Sequence, residues 1–153
     1  MKIKHFIIVL LFDLISVLAK SGYKINEIYV EKCEQAFADN QPYPARLCQM
    51  RKLKMQKVTS ITEAYVECVL TQLGYLNSEG KIDGSAVLAD YHKFGVTDKD
   101  DAVQNLLKAC EEEFGSDDKS VFHRLCIKSD RDFTRVINAR TTTEGWIPKK
   151  SVC

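Results

Sequence analysis

Cysteine is the residue type with the plainest chemistry in this chain, occurring six times, at Cys33, Cys48, Cys68, Cys110, Cys126 and Cys153. Thiols at such positions can ligate a metal or cross-link. No two of them lie within four residues of each other, so the paired spacing of a zinc site is missing. An even number in a secreted chain points instead to three disulfides, with the pairing open among roughly 15 connectivities. Catalytic constellations are thin. His5 lies in the first apolar segment, and His92 and His123 have no motif around them. Asp90 and His92 suggest an acid–base pair, but two residues of separation put them on different faces of a helix. Glu111, Glu112 and Glu113 near a helix end read as a solvated face. The stretch from Asn77 to Gly84 has the look of a calcium loop without its ligand spacing or closing glutamate, and reads as a turn. No Gly-rich phosphate loop and no Gly-x-Ser-x-Gly occurs. The chain is expected to be no enzyme and to use no cofactor and no metal.

The elements that carry these residues begin after a leader. Met1 to Ala19 holds Lys2 and Lys4, an apolar run from Phe6 to Leu18, and the small residues Val17 and Ala19 around a cut. That is the layout of a secretory signal peptide. A membrane anchor needs about 20 apolar residues, and Asp13 interrupts this run. Residues 1–19 are therefore expected to be a signal peptide, and 20–153 one domain of about 134 residues. The whole chain carries a formal charge of +1, which gives no footprint for nucleic acid and no basic block for a membrane surface. Arg46, Arg51, Lys52, Lys54 and Lys57 are the densest basic region and read as a solvated helix face.

Helical periodicity dominates what remains. Ile25, Ile28, Tyr29, Cys33 and Phe37 make one stripe. Ser60 opens a Ser-Ile-Thr-Glu capping box, followed by Val66, Val69, Leu70 and Leu73 before Gly74. Thr97 and Asp98 open another helix, with Val103, Leu106, Leu107, Cys110 and Phe114 in register until Gly115. Ser129 to Arg140 gives a last helix that gathers Phe133, Val136 and Ile137. Shorter helices are predicted over 42–56, 84–93 and 117–127, and no alternating strand stands out. The fold class is all-α, a disulfide-stapled bundle of six to seven helices around a ligand pocket.

The segment from Tyr65 to Ile82 (YVECVLTQLGYLNSEGKI) resembles the third helix and following turn of the insect odorant-binding protein superfamily. Ordinary six-cysteine members place two cysteines in that helix and two near the end, where this chain has only Cys68 and Cys126. Together with Cys48, the terminal Cys153 and the Cys48-Gln-Met-Arg51 word, the pattern resembles the short salivary "D-seven-related" branch from blood-feeding flies. The resemblance implies the pairs Cys33–Cys68, Cys110–Cys126 and Cys48–Cys153. It also implies a carrier secreted into saliva, a monomer, holding biogenic amines or eicosanoids between its helices.

By the same resemblance the ligand-binding residues are Arg51, Tyr65, Phe122, Phe133, Asn138 and Trp146. Arg51 stands where amine-binding relatives have a pocket arginine, and Tyr65 where they commonly have histidine. Phe122 stands where an aromatic is expected. Asn138 and Thr141 fall where those relatives have an acidic pair, and neither can meet an ammonium as a charge. Asp130 and Asp132, the nearest acids, read as capping residues. Trp146 either closes the pocket mouth or covers the core. Arg135 on the same helix reads as a surface residue. Three functions stay open: a scavenger of small host mediators, a carrier of odorants or pheromones, and a protein-binding inhibitor of coagulation or kinin activation.

Overall fold

The computed structural model describes residues 27–37, 44–54, 59–114 and 126–153. The leader over 1–19, Phe122 and most of the helix expected over 117–127 lie outside the described residues. Among the described residues the chain forms α1 (Glu31–Gln35), α2 (Pro44–Arg51), α3 (Ser60–Leu73), α4 (Gly84–Lys93) and α5 (Asp100–Phe114). A short 3-10 helix (Cys126–Ser129) then leads into α6 (Arg131–Glu144). The single β contact among them is an isolated bridge between Leu76 and Ile82 in the α3–α4 turn. The fold is all-α.

α3 runs through the middle. Its cap sits one residue earlier than the sequence pattern suggests: Thr59 accepts from the Thr62 N–H, and the Thr62 hydroxyl accepts from the Thr59 N–H. A second threonine fills the reciprocal role that glutamate usually takes. Gly74, at φ 72°, closes the helix in the left-handed region that glycine adopts without strain. Between these ends Tyr65, Val66, Val69 and Leu70 are wholly buried. α1 and α2 pack against one part of α3, while α4, α5, the 3-10 helix and α6 pack with one another.

Three boundaries differ from expectation. The Ile25-to-Phe37 stripe does not make one helix, because residues 27–30 are extended and α1 begins at Glu31. The Ile28 N–H donates to the Arg51 carbonyl at 2.7 Å, which holds this segment along the end of α2 instead. α2 stops at Arg51 rather than at 56, where Leu53 turns to φ 50°. That conformation costs a branched residue about 1–2 kcal/mol, and burying the Leu53 side chain at 3 % exposure offsets it. α6 continues four residues beyond Arg140, to a second left-handed glycine, Gly145. α4 and α5 approach closely at Gly84, where a Cβ would meet Leu107 Cδ1 at 2.9 Å.

Disulfides close between Cys33 and Cys68, Cys48 and Cys153, and Cys110 and Cys126. The first joins α1 to α3 and the third joins α5 to the 3-10 helix. The second spans 105 residues and pins the C-terminal tail to α2. The core beneath them is rich in aromatic residues: Tyr65, Tyr75, Tyr91 and Phe133 are all nearly or wholly buried.

Candidate functional site

Arg51 occupies the place where the extended N-terminal segment, α1, α2 and the tail converge. Its Nε and Nη2 donate to the two Glu34 carboxylate oxygens at 2.6 and 3.0 Å. Its Nη1 donates to Glu27 Oε2 and to the Lys150 carbonyl, both at 3.0 Å. Arginine has five N–H donors, and this one commits four of them inside the protein. Burial works against the Arg51 charge, but the bonds from Glu34 and Glu27 outweigh it and hold the guanidinium firmly protonated. Burial likewise opposes ionisation of Glu27, and is outweighed by the Ser151 hydroxyl, by Arg51 and by the Val152 N–H. The Glu27 carboxyl thus lies below its usual value. The Arg51 guanidinium also stacks 4.9 Å from the centre of the Tyr29 ring.

Beside this cluster lies a narrow inner crevice of about 30 Å³, lined by Ile28, Arg51, Leu53, Phe133, Asn138 and Lys128 among others. It has room for about one water and no more. Lys128 and Leu53 also form part of the wall of a larger cleft, about 580 Å³, between the end of α2, α5 and the 3-10 helix. Leu106, Ala109 and Phe114 supply its apolar side, and Lys54, Glu113 and Ser129 its polar rim. The volume falls within the range of small-molecule sites. The Lys128 ammonium donates to the Lys52 carbonyl and, at 2.8 Å, to the Leu53 carbonyl. These are carbonyls left free where α2 ends. A separate cleft of about 400 Å³ between the α3–α4 turn and α5 is lined mainly by polar side chains, including Asn77, Lys81, Gln104 and Glu111.

Each buried tyrosine hydroxyl has a partner. Tyr65 donates to the Ile28 carbonyl at 3.1 Å, Tyr75 to Asp90 at 2.7 Å and Tyr91 to Asp130 at 3.2 Å. Burial pushes all three phenols far above their ordinary range, so they are donors and never anions. Arg140 bonds Asp90, Glu144 and the Leu73 carbonyl, and lies over the rings of Tyr75 and Trp146 at 5.7 and 5.8 Å.

The six residues expected at the ligand site therefore separate. Arg51, Phe133 and Asn138 line one crevice. Tyr65 reaches the same neighbourhood through the Ile28 carbonyl, though it does not line that crevice. Trp146 lies with Arg140, packed against the core. Phe122 lies outside the described residues. Arg51 is no part of a solvated basic face, since Glu27 and Glu34 draw it inside. Asp130 caps α6 by accepting from the Asp132 N–H, and Lys99 bridges both acids. Arg135 is on the surface, paired with Asp132. Sequence reasoning missed Lys128 and Leu53, because a lysine after a cysteine and a leucine after a helix carry no signal of their own. No group of acids, histidines and cysteines among the described residues could hold a metal ion. No helix among them is long and apolar enough to cross a membrane.

A disulfide-braced helical cage around aromatic side chains is a frame that several families could share, so comparison with known proteins decides. The model of the PBP/GOBP family matches residues 24–129. The chain belongs to the PBP/GOBP family. Within it, the chain is 35 % identical over 125 residues to a short form salivary protein of the D7 type from Culex quinquefasciatus, covering 81 % of this chain and 77 % of that protein. Membership in the PBP/GOBP family, with a salivary D7 relative, makes the chain a D7-related small-molecule carrier. The matched span takes in five of the six cysteines and ends at the last residue of the 3-10 helix. It leaves α6 and the tail, with Phe133, Asn138 and Trp146, beyond the part that the family model describes.

Proposed function

We propose that this protein is secreted in saliva and sequesters small host mediators, biogenic amines or eicosanoids, countering haemostasis and inflammation. The observation that carries the reading is the likeness to a short salivary D7 protein over four-fifths of the chain. The fold supports it by offering apolar and aromatic surface close to fixed charges, which is what an amphipathic ligand requires. Removal by stoichiometric binding asks for affinity and abundance, and needs no catalytic residue.

The charges bear unequally on the two ligand classes. An amine needs a carboxylate for its ammonium. Glu27 and Glu34, the acids nearest the inner crevice, are both engaged by Arg51, so an amine would have to compete for them. Calorimetric titration with serotonin, histamine, a leukotriene and a thromboxane analogue tests the reading. Binding of at least one with submicromolar affinity is expected, and absence of heat with all four overturns it.

A further inference from the structure

The carrier reading leaves open which chemistry the protein takes, and the cleft between the end of α2, α5 and the 3-10 helix speaks to it. Its wall is built from Leu53, Leu106, Ala109 and Phe114, side chains that offer an alkyl chain contact without polar groups to satisfy. At one end stands Lys128, half-buried, with its ammonium held by the Lys52 and Leu53 carbonyls. An ammonium has three donors, and no carboxylate among the described residues meets this one. Carbonyl oxygens orient it but do not cancel its charge, and an uncancelled charge in a half-buried position is costly. The charged groups that face it are Lys54, Lys52 and Arg51 from the end of α2 and the exposed Glu113 from α5. Cations thus outnumber anions around the cleft, which disfavours a cationic ligand.

We propose that this cleft binds a long-chain carboxylic acid, with its carboxylate on the Lys128 ammonium and its chain along Leu53, Leu106, Ala109 and Phe114. The proposal rests on the carrier reading and narrows it to acidic amphiphiles. The remaining N–H of Lys128 gives the carboxylate a charge-assisted hydrogen bond, and the pair neutralises a charge that the protein itself leaves unmatched. A neutral alcohol of the same chain length gains the apolar contact alone. Burial, and to a lesser degree the charge of Lys54, pulls the Lys128 ammonium from its ordinary 10.5 down to about 8. A carboxylate beside it favours the protonated form, so binding takes up a proton near that pH and weakens above it.

Titration calorimetry of the full mature chain with oleic acid and with oleyl alcohol, against wild type, Lys128→Met and Lys128→Arg, tests this. Wild type should prefer the acid by about tenfold or more. Lys128→Met should bind both equally, and Lys128→Arg should keep the preference; circular dichroism verifies that each variant is folded. The acid affinity of wild type should fall as pH rises above 8, and the alcohol affinity should not. Equal affinity for acid and alcohol in wild type, or an acid preference that survives in Lys128→Met, overturns the proposal. If neither compound binds while serotonin or histamine does, the cleft assignment falls and the carrier reading stands. If nothing binds, both fall.

Discussion

Arg51 Nη1 lies 3.0 Å from Glu27 Oε2, and the two side chains are 6 % and 7 % exposed. This buried ion pair links residues 24 positions apart and is bonded in turn to Glu34, the Lys150 carbonyl and Ser151. It joins the start of the described chain to its end. A guanidinium so fully committed serves the fold before it serves any ligand.

Removing the cation should therefore cost stability more than affinity. Arg51→Ala strands Glu27 and Glu34 as unpaired acids, one of them fully buried, and is expected to cost about 3–5 kcal/mol. Urea unfolding of the variant measures it. A loss below about 1 kcal/mol would show that the pair is not structural.

The tail is fixed a second time by Cys48–Cys153, which closes a span of 105 residues. In the chain-entropy model such a loop is worth about 4–5 kcal/mol, against about 3 kcal/mol for the 16-residue separation of Cys110–Cys126. Replacing Cys48 and Cys153 together by serine should lower the guanidinium midpoint more than replacing Cys110 and Cys126. The reverse order would contradict the entropic account.

Acid should loosen the same region. Glu27 and Asp130 both titrate below their ordinary values of 4.5 and 3.8, so the folded state holds fewer protons than the unfolded chain as acid is added. Their contribution is complete above 4.5 and disappears as pH falls through the folded values. Thermal melts between pH 6 and pH 2 should show Tm falling in that window. Glu27→Gln should flatten part of the slope, and an unchanged slope would remove Glu27 from the account.

Trp146 offers a local reporter, being the single tryptophan of the chain. Asp90→Asn takes away the carboxylate charge that holds Arg140 beneath Tyr75 and Trp146. The expected cost is about 3 kcal/mol, with Trp146 emission moving to longer wavelength as the ring gains water. Unshifted emission would mean that Arg140 does not hold the tail.

The helices were legible in the sequence where one residue type dictates the outcome. Gly74 ends α3 because only a left-handed residue fits there, and Asp130 caps α6 with its own carboxylate. The register of Phe133, Val136 and Ile137 is that of the buried face. What escaped was decided by distant partners. α2 ends early because Leu53 finds a buried site, and residues 27–30 stay extended because Arg51 offers a carbonyl. Arg51 itself looks like any surface cation until Glu27 and Glu34 close on it, 24 and 17 positions away. Lys128 becomes conspicuous only once the end of α2 supplies its carbonyl acceptors.

The central claim is that the protein retains a small mediator without converting it. Equilibrium dialysis of the mature chain against labelled serotonin, histamine, a leukotriene and a thromboxane analogue, with recovery of the label, tests this most directly. At least one compound should be held at about one molecule per chain and recovered chemically unchanged. Retention of none, or release of an altered product, would contradict it.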